Sequence, residues 1–575
     1  MKLRRTLAAA TAALLACTLI SCSSSTKETS SKTDSGSPSS DQGGTQTDGG
    51  STDSGSAYKS LGDYLNDPKF HQAIKLAIDM PSVIDGLMGG KAKPANTLMP
   101  AGPFKPTSGL NDWTYDPDKA KALLKEIGWD SSQELNLVHY YGDQGTVDFM
   151  SAVQQYLAKV GIKVAPKKLE GDLGSQLWTA PKDPVKGPSA VKWDLAYGAV
   201  AALAPQEYYN RFLSDYPGNS YFPKNDEFES LIRAASATAD HDQQVAAFGK
   251  VVEWDNKNLP AVPLYYQPIF VVSSDRLDRA GADIGNEQYS YDWDIKDWTV
   301  PATNGKQVLR TNGGAVEFFE APFLNPGLFM STKVLYDHLL VASADLSTFQ
   351  PQLAKSYQVS DDGLTVTFTM RDGVTWHDGK PLTADDVKFT IELAAKVQSL
   401  NSVFDSTFAK LKGIDEYRDG SADHISGVAV SGDTVTLTFT SIDPNVLLTF
   451  SQLPPLPQHL LKDADPLTIQ QNPYFQKPVG SGPFALDTVR MGEKTVFKAF
   501  DGYWNGRPKI DEIDMYPSTE SDPNLVTNTE AGKVDYAYTK SVDDATALDG
   551  VSGIKITSVD VMYTRMLFVN GFPRS

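Results

Sequence analysis

The chain has 575 residues, with 52 Lys and Arg against 71 Asp and Glu and a formal charge of −19. Single hydrophobic cores stop growing near ~250–300 residues, so at least two lobes are expected. The acidic balance makes nucleic acid and anionic membrane surfaces poor partners. Both cysteines, Cys17 and Cys22, lie near the N-terminus, so the body has no disulfide, cysteine metal site or cysteine nucleophile to offer.

Residues 1–22 read as a targeting segment. Lys2, Arg4 and Arg5 form a positive region, and Leu7–Ile20 is apolar but short for a membrane span. Leu19-Ile20-Ser21-Cys22 resembles a lipobox, which implies cleavage before Cys22 and a diacylglyceryl group on its sulfur. Residues 23–57 are Ser, Thr, Gly and Asp with almost nothing apolar, a tether expected to stay disordered with a reach of roughly 30–35 Å.

Residues 58–300 read as helices interleaved with strands, an α/β pattern. Phe70, Ile74, Ala77 and Ile78 make a helical stripe ending before Pro81. Asp116 caps a helix with Pro117 at its first position and Gly128 at its end. Val147–Val160, Phe228–Ala235 and Gln243–Asn258 are further helices, and Val262–Val272 is expected as one strand. Residues 301–307 are polar and turn-rich, a linker into residues 308–575.

In the second part, Leu364, Val366, Phe368 and Met370 alternate with threonines, the period of a half-buried strand. Asp372-Gly373 turns the chain, Val374-Thr375-Trp376 runs back, and Asp378-Gly379 turns it again. Thr383 three residues before Asp386 is a capping box opening a helix with Val387 and Ile391 inward.

The run from Arg371 to Val387 (RDGVTWHDGKPLTADDV) resembles the signature block of the family 5 extracellular solute-binding proteins, the oligopeptide-, dipeptide- and nickel-binding components of ABC importers. Val479–Phe484, Gly502–Pro508, Ala531–Asp535 and Tyr563–Asn570 resemble later blocks of that family's first half. Phe70–Asp79, Tyr115–Leu124 with Gly128-Trp129, and Leu259–Leu264 resemble blocks of its second half. The two halves therefore stand in reversed order, as in a circular permutation, which is tolerated where old termini lie close.

The resemblance implies a two-lobed periplasmic-binding-protein-like fold of type II, with mixed sheets, an extra subdomain and permuted order. One lobe would hold Val308–Asn325, Gly480–Ile556 and Leu259–Val300, with Pro326–Val479 beside it as the subdomain. The other would hold Tyr58–Asn258 and the terminal strand. It also implies a monomeric, lipid-anchored, extracytoplasmic receptor that closes over a solute and passes it to permease subunits of an ABC transporter. No cofactor is implied.

Catalytic chemistry has no positive signal. There is no Gly-x-Ser-x-Gly elbow, His-Glu-x-x-His or phosphate loop, and the seven histidines have no metal spacing. A secreted hydrolase with paired carboxylates remains an alternative without a candidate pair, as does an oligosaccharide receptor of the same fold. His377, in the signature block, is expected to be structural.

In the family's peptide binders an aspartate near the strand Trp193–Val200 pairs with the ligand's ammonium group. Here Ala201 takes that place and Gly198 that of a tryptophan. A buried ammonium without a carboxylate is costly, so either Glu207 substitutes or the ligand lacks a free amino terminus, the reading preferred here. The expected ligand-facing set is Tyr197, Gly198, Ala199, Val200, Glu207 and Tyr208 together with Phe319, Glu320, Phe323 and Asn325, with aromatics as stacking surfaces.

Overall fold

The computed structural model describes residues 60–574 apart from 101, 239, 282–294, 314–318, 325–329, 344–345, 398–399 and 517–523. The expected targeting segment, the tether, Cys22 and Asn325 lie outside the described residues.

The capped helices form where their end signals place them. The Asp116 carboxylate accepts from Lys119 N–H at 2.9 Å, Pro117 opens the helix, and Gly128 closes it at φ 73°. Its inner residues Ala120, Leu124 and Ile127 are buried. The helix expected from Val147 starts at Gln144, because the Asp143 carboxylate caps it by accepting from Thr146 N–H at 2.8 Å.

The first part supplies strands β1 (Lys93–Pro94), β2 (Glu134–His139), β3 (Lys163–Lys168), β4 (Leu195–Ala201), β5 (Val262–Tyr266) and β6 (Ile269–Ser274). The second part begins with β7 (Val308–Asn312), β8 (Leu340–Ala342) and β9 (Phe349–Pro351). It continues through β10 (Ala354–Val359), β11 (Thr365–Met370), β12 (Val428–Ser431) and β13 (Thr434–Thr438). Last come β14 (Phe484–Arg490), β15 (Lys494–Ala499), β16 (Glu512–Tyr516), β17 (Tyr536–Thr539), β18 (Ile554–Val559) and β19 (Tyr563–Val569).

Two mixed sheets form the lobes. The first runs β1-β5-β19-β4-β2-β3 and the second β14-β15-β16-β7-β17-β6-β18. Strand β19, from the far end of the chain, lies between β5 and β4 and is antiparallel to both, with Leu567 opposite Tyr197 and Val262. Strand β6, from the first part, lies between β17 and β18. Residues 60–300 and 308–574 are thus interleaved, and neither builds a lobe alone.

The expected strand Val262–Val272 divides. Gln267-Pro268 separates β5, in the first sheet, from β6, in the second, and Pro268 has no N–H to continue a ladder. The lobe expected to contain Leu259–Val300 accordingly loses Val262–Tyr266 to the other lobe. The expected linker is tighter than a flexible joint: Thr303 and Lys306 exchange backbone hydrogen bonds of 2.8 and 3.1 Å around Asn304 and Gly305, both at positive φ. This is a two-residue hairpin of the Asn-Gly kind.

The ends of the described chain meet on the first lobe. Ser189 N–H donates to Pro573 O at 2.7 Å, Arg574 pairs with the buried Asp194, and a side chain at Gly62 would lie 3.0 Å from Pro573 Cα.

A third sheet, β10-β11-β13-β12, carries the signature strand. Val366, Phe368 and Met370 are buried while the intervening threonines are half-buried, as the alternation predicts. The return segment Val374–Trp376 is not a strand: a lone bridge joins Thr375 to Pro381, with Trp376 N–H donating to Lys380 O. Asp386 accepts from Thr383 N–H at 2.8 Å and also from Gln458 N–H at 3.0 Å, so the capping box also anchors a neighbouring helix. Buried residues from one face of the second sheet and from the subdomain form one continuous apolar cluster, with a small cluster on that sheet's other face, while the first lobe has a large cluster on each face of its sheet.

Candidate functional site

Strands β2, β4 and β5 end, and β19 starts, at one edge of the first sheet. Strands β7, β17 and β18 end, and β6 starts, at the facing edge of the second. The chain crosses between these edges twice, at Gln267-Pro268 and at Asp560–Met562. The crossings are tied together, Gln267 N–H donating to Tyr563 O at 3.0 Å. Few residues join the two sheets there, which suits hinge motion about a cleft.

Two cavities abut the crossings. One, of about 540 Å³, is lined by Met80, Trp113, Tyr115, Tyr266, Gln267 and Val561 among others. The other, of about 410 Å³, lies between the first lobe and the subdomain, with Phe104, Leu203, Pro205, Phe349, Leu448 and Met562 on its walls. Both volumes are in the range that holds a small molecule. Near the first cavity burial lowers Lys75 to about 7 and Lys105 to about 8. Their ammonium groups donate to backbone and side-chain oxygens: Lys75 to Ala95 O and Pro263 O, Lys105 to Asn96 Oδ1 and Tyr266 OH.

Along the first lobe's edge stands a cluster of tyrosines around one cation. Tyr140 and Tyr141, following β2, share a hydroxyl–hydroxyl bond of 2.9 Å. Tyr197 on β4 bonds Tyr265 on β5 through their hydroxyls, also at 2.9 Å. The Arg565 guanidinium, on β19, lies 4.1 Å from the Tyr141 ring centre, 5.1 Å from Tyr563 and 5.9 Å from Tyr197. Its Nε donates to Gln267 Oε1 at 2.7 Å. From the second lobe Lys540 approaches the Tyr563 ring at 5.3 Å.

The residues expected from the sequence are only partly assembled here. Tyr197 belongs to the tyrosine cluster, with its ring buried. Gly198 leaves the space that Phe568 and Tyr140 occupy: a Cβ there would lie 3.1 Å from the Phe568 ring. Ala199 is half-buried between them and the strand's end. Val200 and Tyr208 are packed in the apolar core of the first lobe, and Phe319 and Phe323 in that of the second. These four residues are 0–5 % exposed, so in this structure they face the cores rather than a cavity. Glu320 is half-buried on the same loop, which Gln470 holds by bonding Phe319 O and Ala321 N.

Glu207 is committed to structure. Its carboxylate accepts from Leu203 N–H at 2.7 Å, Ala204 N–H at 3.2 Å and the Ser402 hydroxyl at 3.0 Å, the last reaching across to the subdomain. Burial raises its pKa, and these hydrogen bonds oppose the rise. His377 also serves the frame: its Nδ1 accepts from Gly480 N–H at 3.1 Å and its Nε2 donates to Gly482 O at 2.9 Å.

Arg565, Gln267 and Tyr141 were not among the expected site residues. A sequence signal existed for the first, a lone charge inside the apolar strand Tyr563–Val569. Among the described residues no group of three or more His, Cys, Asp or Glu is placed to hold a metal ion, and no helix is long and apolar enough to cross a membrane.

Residues 23–219 and 348–571 match the family model for bacterial extracellular solute-binding proteins, family 5 middle. The dipeptide-binding protein of Escherichia coli K12 is 30 % identical over 237 residues, covering 37 % of this chain and 42 % of that protein. A putative ABC transporter peptide-binding protein of Brucella ovis is 27 % identical over 228 residues, 39 % of this chain and 40 % of that one. The matched region spans about two fifths of the length of these relatives. Among solved structures, the oligopeptide-binding protein AppA of Bacillus subtilis with a nonapeptide aligns at 25 % identity and a TM-score of 0.36, covering 43 % of this chain and 46 % of that one. With the family model matched over most of its length, the chain belongs to the family 5 bacterial extracellular solute-binding proteins.

Proposed function

We propose that the protein is the solute receptor of an ABC import system, capturing a peptide or related small solute between its lobes and delivering it to a membrane permease. The observation that carries this reading is the pair of crossings between two sheet edges, in a chain of this family, with a cavity of about 540 Å³ beside them. It acts without turnover, as a binding module held at the membrane by lipid on Cys22. The order of its blocks is that of a circular permutation; the interleaved strands and the meeting of residues 60–66 with 571–574 support this.

The solute is one without a free amino terminus, such as a blocked or modified peptide. Ala201 ends β4 without a carboxylate, and Glu207 is occupied by three hydrogen bonds. An oligosaccharide is the second candidate, favoured by Tyr115 and Tyr266 on the cavity wall as stacking faces.

Calorimetric titration with free peptides, N-acetylated peptides and oligosaccharides is the test. N-acetylated peptides should bind and remain uncleaved. Tight binding of free peptides that survives Glu207→Gln would overturn the blocked-terminus reading, and steady product formation would overturn the receptor reading. Cys22→Ala should release the protein from the membrane with its melting temperature unchanged. A chain recut within 303–306 and joined from 574 to 60 should fold to the same spectrum and bind alike; failure to fold would count against the permutation.

A further inference from the structure

The Arg565 side chain is half-buried, yet its Nη1 is closed off from solvent and has no hydrogen-bond partner. No ion pair reaches it among the described residues, and three carboxylates of the lobe and its crossing are engaged elsewhere. Asp560 pairs with Lys93, Asp143 caps a helix, and Glu207 is bound to Leu203, Ala204 and Ser402. Tyrosine faces offset part of the desolvation of a guanidinium, but a buried charge left without a counter-charge is costly. Apolar residues of similar volume would remove that cost, and the neighbours on the strand, Met566, Leu567 and Phe568, are apolar and fully buried.

Geometry gives the cation a use. Gln267, on the other crossing, fixes the guanidinium through Nε and leaves the Nη1 and Nη2 edge uncommitted. Tyr141 lies against its face. A planar fork held in this way matches a carboxylate or phosphate with two parallel hydrogen bonds. It stands where both crossings meet the first sheet, so an anion on it would sit between the lobes.

We propose that Arg565 is the anion-recognising residue of the cleft, and that the solute carries a carboxylate which pairs with its guanidinium. This rests on the receptor reading and narrows it: the solute is blocked at its amino end and acidic, rather than neutral. The carboxylate can be a chain terminus or an acidic side chain.

The test uses the full folded chain with three N-acetylated tripeptide sets: free C-terminus with neutral side chains, C-terminal amide with neutral side chains, and C-terminal amide with one Glu. Succinate serves as a peptide-free probe, read through the Arg565 Nε–H signal, which is assigned by its loss in Arg565→Gln. The wild type should bind a carboxylate-bearing set at least about tenfold more tightly than the neutral amides, the value of a charge-assisted pair. The set that binds identifies the source of the carboxylate. Arg565→Gln should abolish that preference, so that carboxylate-bearing and neutral peptides bind alike, and Arg565→Lys should retain part of it.

Without ligand, Arg565→Gln and Arg565→Met should melt no lower than the wild type. A structural strut would instead lower the melting temperature and weaken every ligand alike, and that outcome overturns the proposal. Equal binding of acidic and neutral peptides also overturns it while leaving the receptor reading intact. If no peptide binds but succinate moves the Arg565 signal, the anion site stands and the peptide reading falls. If neither peptides nor succinate act, the proposal is wrong.

Discussion

Asp535 and Arg565 are both charges withdrawn from water at the centre of a sheet, one in each lobe, and their surroundings are opposite. Asp535 is fully buried and takes Arg310 through Nε at 2.9 Å and Nη2 at 2.8 Å, Arg276 Nη1 at 3.1 Å, and the Arg310 N–H and Ser274 hydroxyl besides. These partners come from β7 and from the end of β6 with the turn after it, so the carboxylate, itself just before β17, joins three stretches of chain that are far apart in sequence. Arg565 has tyrosines and one glutamine. A buried charge with a complete set of partners holds a fold together, while one short of partners marks a place where something else binds.

The sharpest way to break this comparison is at Asp535. Removing one partner of a buried pair leaves the others uncompensated, typically at 3–5 kcal/mol. Asp535→Ala should therefore lose about 3–5 kcal/mol in chemical denaturation. A loss below about 1 kcal/mol would place Asp535 with ordinary surface ion pairs and remove the contrast. Double replacement of Asp535 and Arg310 by apolar residues should recover part of the loss.

A second frame element gives a somewhat smaller effect. A Cβ at Gly480 would lie 1.7 Å from Leu335 O, and one at Gly482 2.6 Å from Val334 O. Both obstacles are backbone, which cannot rotate away. Overpacking of this kind costs about 1–3 kcal/mol, occasionally more, so Gly480→Ala should fall at the upper end. It should also disturb His377, whose backbone and ring both bond the Gly480–Gly482 turn.

His377 carries its own test by pH. Burial lowers its pKa from 6.5 to about 4, with the Gly482 bond opposing. The unfolded chain takes up the proton first, so the stabilisation is complete above about 6.5 and is lost as pH falls toward about 4. Asp337 and Asp255, both raised to about 7 by burial, act in the other direction and lose stabilisation as pH rises from about 4 to 7. Comparing the wild type with His377→Gln cancels the aspartates. The difference in melting temperature should shrink between pH 6.5 and 4, and a constant difference would show that His377 titrates normally in the fold.

Much of this frame was legible in the sequence because its signals are local. Asp116, Pro117 and Gly128 delimit their helix with backbone chemistry that needs no tertiary partner. The alternation from Leu364 to Met370 reports one buried face, and the capping box at Thr383 is contained in four residues. Sheet membership is not local. Val262–Val272 is apolar on both sides of Gln267-Pro268 because both strands are buried, so period and composition do not reveal that one belongs to each lobe. The aromatics of the expected site lie in the cores, and sequence did not show it for the same reason. Tyr208, Phe319 and Phe323 have the composition of a stacking surface and the burial of a core, and sequence does not separate the two.

The smallest effect expected concerns the second crossing itself. Lys93 on β1 pairs with Asp560 at 2.6 Å, with side chains 65 % and 53 % exposed. Exposed pairs contribute about 0–1 kcal/mol, because water screens them and two long side chains lose freedom. A double-mutant cycle of Lys93→Gln with Asp560→Asn should therefore give a coupling below about 1 kcal/mol. It should disappear in 1 M salt, where screening acts over roughly 3 Å. The value matters because Asp560 lies on one of the two crossings about which the lobes would turn. A weak pair lets the crossing flex at little cost, as the proposed receptor function requires. A coupling above about 2 kcal/mol, well beyond an exposed pair, would instead describe a crossing clamped to the edge of the first sheet, and hinge motion would have to rest on Gln267-Pro268 alone.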